Sequence, residues 1–163
     1  MIHVHAGRER NIRNVVEGKI TMFSYEEYEL ECRKQIERNE KFLELFERYL
    51  VSAGLSQTTI RKHLSNVDFY INTYLLREEP LGMECGCFKI DTFFGYFFIQ
   101  KCMWSTPGNI KTTAASIKKY YRCMLENRCI EKADYGFLCS EIKEHMEEWQ
   151  EDCARFNSGY EFY

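Results

Sequence analysis

Helix-breaking residues are scarce in this sequence, with two prolines and nine glycines among 163 residues. Long stretches are therefore free to be helical. No run of about 18 apolar residues occurs, which excludes a membrane-spanning helix. The opening MIHVHAGRERNIRN lacks an apolar core and a small-residue cleavage site, so no secretory signal is read there. No glycine-rich phosphate loop, HExxH pair or Ser-x-x-Lys is present either. Without a signal, the eight cysteines (32, 85, 87, 102, 123, 129, 139 and 153) read as reduced, small core residues of a cytoplasmic chain rather than as a disulfide framework. What the chain does have is 45% apolar residues, enough at this length for a real core.

Charge is unevenly placed. The net charge is −3, yet residues 56–128 carry 10 Lys/Arg against 6 Asp/Glu, and residues 129–163 carry 3 against 9. A modestly basic middle is followed by a strongly acidic segment. The overall acidity argues against strong nonspecific binding to nucleic acid, which needs uncompensated cations on phosphates, but it allows a local basic face.

Periodicity predicts a compact all-α bundle of about five helices. Residues 1–22 read as an arm or strand-like segment, 23–131 as the helical domain, and 132–163 as an acidic helix on the same body. Ser24 and Glu27 form a capping box opening a helix that Gly54 stops. Its first half is mostly charged and is expected to project or pack lightly, with Cys32 and Ile36 as its main apolar contacts. Ser56 caps a second helix with Ile60, Leu64, Val67 and Ile71 on one side. His63 falls at the edge of that stripe, where a part-buried, hydrogen-bonded role is expected. Residues 77–89 read as a loop. Asp91 is expected to cap an aromatic helix over 92–103, apolar on nearly all sides, in which Gly95 permits close approach by a neighbour. A helix then runs from Pro107, with Ile110, Ala114, Ile117, Tyr121 and Met124 along one side and Lys111, Lys118 and Arg122 beside it. The last helix, expected to be capped by Asp134, places Leu138, Ile142, Trp149, Cys153 and Phe156 inward and a row of carboxylates outward.

Metal and cofactor signals are weak. His3 and His5 form an H-x-H pair with no further ligand at a suitable spacing. Cys85 and Cys87 form C-x-C, which lacks the two-residue gap of a zinc knuckle. No metal and no cofactor are expected.

FLELFERYLVSAGLSQTTIRKHLSNVDFYI, followed by NIKTTAASIKKYYRCMLENRCI, resembles the N-terminal core-binding, SAM-like domain of phage integrases and other tyrosine recombinases. The likeness spans about residues 40–131 and rests on helix starts and core positions. It implies a DNA-clamping domain of a mobile element, with double-stranded DNA as partner. By position it implies contacts from Thr58, Arg61 and Lys62 on the second helix and from Asn109, Lys111, Lys118, Lys119 and Arg122 on the fourth. Lys and Arg there would hold phosphates, while Asn109 or Arg61 could reach a base edge. The likeness stops before any catalytic domain, and Tyr160 and Tyr163 lack a nearby basic cluster to activate them. Strand cleavage, and enzymatic activity generally, are not expected.

An alternative rests on the acidic segment. Glu144, Glu148 and Glu151 could occupy the basic groove of a nucleic-acid-processing enzyme, as a small phage-type inhibitor or adaptor does.

Overall fold

The computed structural model describes the backbone of residues 12–16 and 19–159, and side chains from residue 24 to 159. His3 and His5, Tyr160 and Tyr163 lie outside the described residues. The body is all-α, as expected, and a two-stranded antiparallel hairpin precedes it. Strands β1 (Ile12–Val16) and β2 (Lys19–Phe23) pair with Ile12 opposite Phe23 and Val16 opposite Lys19.

Helix α1 (Tyr25–Ser52) starts where the sequence predicts. Ser24 Oγ accepts from the Glu27 amide at 3.2 Å, and Gly54 at φ +77° ends the helix. Only glycine takes that left-handed conformation without steric cost. Phe46 and Leu50, in the second half, are fully buried. The first half does not project but packs lightly, the second of the two expectations, with only Asn39 buried there. Tyr28 donates its hydroxyl proton to the Leu76 carbonyl, Cys32 Sγ lies 3.7 Å from the same oxygen, and buried Asn39 donates to Asn72 Oδ1 at 2.8 Å. Polar bonds, rather than Ile36, hold it; Ile36 stays 44% exposed.

Helix α2 (Gln57–Asp68) is capped by Ser56, whose Oγ accepts from the Thr59 amide at 3.2 Å. It runs on through wider π-helical turns at Phe69–Tyr74. Tyr70, Ile71, Tyr74 and Leu75 are all buried. The expected loop holds a 3₁₀ turn, Met83–Phe88. It is pinned by the Arg38–Glu84 ion pair and by the Tyr70 hydroxyl donating to the Gly86 carbonyl at 2.6 Å.

Helix α3 combines Ile90–Thr92, π-turns at Phe93–Phe97 and a last turn at Phe98–Lys101. Asp91 is not its cap. It lies in the first turn and accepts from Trp149 Nε1 at 2.8 Å, tying α3 to the last helix. Phe93 is the hub of the core, with the rings of Tyr70, Tyr74 and Phe94 each 4.8 Å away. Burial of each such ring contributes about 2–3 kcal/mol. Tyr96 is 52% exposed, so this helix does show solvent one face.

Helix α4 (Pro107–Glu126) carries Thr106 as its cap and Pro107 at its first position; helix α5 (Lys132–Gly159) packs along it. Asp134 falls inside the first turn of α5 rather than capping it. Among the described residues no helix is long and apolar enough to cross a membrane.

Candidate nucleic-acid interface

Helices α2 and α4 lie side by side and meet through polar side chains. His63 Nδ1 is 2.8 Å from Ser116 Oγ, Asn66 Nδ2 donates to the same oxygen at 3.0 Å, and Ser116 donates to the Thr112 carbonyl at 3.2 Å. Ser116 is buried and engaged by all three groups, so it is not poised as a nucleophile. Burial, with the nearby Lys119 charge, holds His63 below the ordinary histidine value and keeps it neutral.

Above this contact the two helices open into a groove of about 480 Å³. Lys62, His63, Asn66, Asn109, Thr112 and Trp104 are among its walls. Of the residues implied by the resemblance, Lys62 and Asn109 therefore share one concave surface. Asn109 spends its amide on the Trp104 carbonyl, donating at 2.9 Å, and so braces the α3–α4 connection as well.

The other implied residues lie outside the groove. At about 100° per residue, Lys111, Lys118 and Arg122 fall within about 40° of one another, forming one exposed edge of α4. Lys119 lies about 80° round from Lys111, on the side that faces His63. Thr58 and Arg61 are exposed on the outer face of α2. Arg122 is committed: hydrogen bonds to Tyr135 and Glu126 hold its guanidinium pKa above the ordinary value, with Nε 3.5 Å from Glu126. Among the described residues, Arg61, Lys62, Lys111, Lys118 and Lys119 have no carboxylate within 4.0 Å.

Three carboxylates of α5 pair within their own helix. His145 Nε2 is 3.0 Å from Glu141 and its Nδ1 is 3.3 Å from Glu148, while Arg155 is 3.1 Å from Asp152. Glu144 and Glu151 are exposed. Glu141, Glu144 and His145 bring their ligand atoms within 4.8 Å of one another, a trio able to take a divalent cation. Cys85 and Cys87 sit in the 3₁₀ turn as free thiols, and burial pushes Cys87 up to about 12. A thiol so hard to ionise is a poor ligand and a poor nucleophile.

No protein-family model, curated protein or solved structure matches this chain.

Sequence reasoning missed Trp104 and Met103. They occupy the connection before α4 and are 58% and 100% exposed. The available signal was their place between an apolar helix and a Thr-Pro helix start, where a large side chain has no periodic stripe to join.

Proposed function

We propose that this chain is a non-catalytic DNA-binding accessory protein of a mobile element, akin in role to the integrase core-binding domain it resembles. Its contact surface is the outer edge of α4 with the adjoining α2 groove. The observation that carries this reading is the row of cations left without carboxylate partners on those two helices. Counter-charges are plentiful in the chain, yet among the described residues none of the carboxylates of the acidic helix lies within 4.0 Å of these cations. Lys111 and Lys118, aligned along α4, act as phosphate contacts that position the duplex. Lys62 adds charge in the groove and Lys119 beside it, while Arg122, tied to Glu126 and Tyr135, contributes less. Eight reduced thiols fit a reducing compartment, and we assign the protein to the cytoplasm.

Charge neutralisation tests this. Lys111→Gln with Lys118→Gln should weaken duplex binding about tenfold or more at low salt while leaving the melting temperature unchanged. Unchanged affinity would remove α4 from the interface.

A second reading is supported by the exposed carboxylates of α5. Glu144, Glu148 and Glu151 lie at helical spacing along one side and offer a basic protein partner an acidic strip. Substituting all three by Lys should abolish a protein complex but strengthen DNA binding.

A further inference from the structure

Trp104 is held in place, yet it is left largely uncovered. Its indole meets Phe69 edge-on at 5.7 Å, its carbonyl accepts from Asn109, and the next residue is fixed twice. The Ser105 amide donates to the Cys102 carbonyl at 3.0 Å, and the Ser105 carbonyl accepts from Asn157 Nδ2 at 3.0 Å. The backbone that carries the ring is thus anchored to α3, α4 and α5. The ring nonetheless stays 58% exposed and forms part of the wall of the groove that Lys62 also lines. A pre-set aromatic beside cations and amide groups is the arrangement that binds an unpaired base together with its phosphate. At about 480 Å³ the groove is within the range of sites that enclose a small ligand, so it is large enough for a nucleotide.

We propose that Trp104 stacks on an unpaired base, so that the protein prefers DNA carrying a single-stranded segment beside a duplex over fully paired DNA. This rests on reading the α2–α4 face as the phosphate-binding surface. Inside a duplex the base faces are covered by their neighbours, and only an unpaired base has a face to offer Trp104. Lys62, across the groove, takes the phosphate of that nucleotide, and Lys111 and Lys118 hold the paired part.

The chain contains two tryptophans, and Trp149 is only 1% exposed, so a change in emission on binding reports on Trp104. The probes are a duplex closed at both ends by non-nucleotide linkers and the same duplex bearing a ten-thymine overhang, compared by anisotropy and tryptophan emission. The overhang should bind at least tenfold tighter and quench the emission. Trp104→Ala should erase that preference, bringing the overhang probe to the affinity of the closed duplex, and Trp104→Phe, which keeps a ring, should retain part of it. Equal affinity for both probes with no change in emission would overturn the stacking proposal and leave duplex binding standing. No binding to either probe would overturn both. So would quenching by poly-glutamate alone, because the groove would then be a site for acidic peptides.

Discussion

His63 Nδ1 lies 2.8 Å from Ser116 Oγ, and this contact fastens α2 to α4 at the level of the groove. It also sets a pH dependence. Burial and the Lys119 charge lower the pKa of His63, so between its folded and unfolded values the native state binds fewer protons than the unfolded chain. The stabilisation is therefore present above the ordinary histidine value and is lost as pH falls through it towards the folded value. His145 has the opposite sign. Its hydrogen bond to Glu148, aided by the Asp91 and Glu141 charges, raises its pKa, and its smaller, solvent-screened contribution is lost as pH rises through the folded value. In an NMR titration the His63 ring should reach its midpoint at a lower pH than the His145 ring. The reverse order would contradict the buried seam.

Close approach of backbone and side chain occurs at Gly86, not at Gly95. A Cβ on Gly86 would meet the Tyr121 hydroxyl oxygen at 2.0 Å and Tyr70 Cε2 at 2.9 Å, both belonging to buried rings. A Cβ on Gly95 would sit 3.4 Å from Asp91 Oδ1 and 3.5 Å from the Trp149 ring, which is ordinary contact. Gly86→Ala should destabilise by about 2 kcal/mol or more, through overpacking. Gly95→Ala should be neutral, or stabilise by up to about 1 kcal/mol through lower chain entropy in the unfolded state. Thermal melts of both variants check this, at about 2–4 °C per kcal/mol for a chain of this size.

Three buried tyrosines should respond differently to loss of their hydroxyls. The Tyr120 hydroxyl has no hydrogen-bond partner among the described residues, whereas Tyr70 donates to the Gly86 carbonyl and Tyr121 to the Met83 carbonyl. Tyr120→Phe removes an unpaired buried polar atom and should cost nothing or stabilise slightly. Tyr70→Phe and Tyr121→Phe each remove a buried hydrogen bond to a carbonyl and should cost about 0.5–1.5 kcal/mol. Urea denaturation of the three variants separates these cases.

The helices were legible because their signals are local. Ser24, Ser56, Pro107 and Gly54 mark boundaries through bonds and dihedrals within a few residues, and Ile110, Ile117 and Met124 trace a stripe that a regular helix keeps in phase. The π-turns at Phe69–Tyr74 and Phe93–Phe97 were not legible. They coincide with the packing of Tyr70 and Tyr74 against Phe93 and Phe97, contacts between two turns that local spacing does not reveal. Asp91 misled for a related reason. An Asp at a helix start has the chemistry of a cap, but a partner 58 residues away, Trp149, takes its carboxylate. Of the candidate interface, the alignment of Lys111, Lys118 and Arg122 was readable from spacing. The groove was not, because it depends on which flank of α2 faces α4.

The most direct test of the DNA-binding account is the affinity of the full chain for a labelled duplex, read by anisotropy across a salt series. With about four phosphates neutralised, log K should fall by about 3.6 per decade of salt, giving binding at about 50 mM that weakens by roughly two orders of magnitude at about 200 mM. Absence of binding at about 50 mM, or an affinity indifferent to salt, would contradict it.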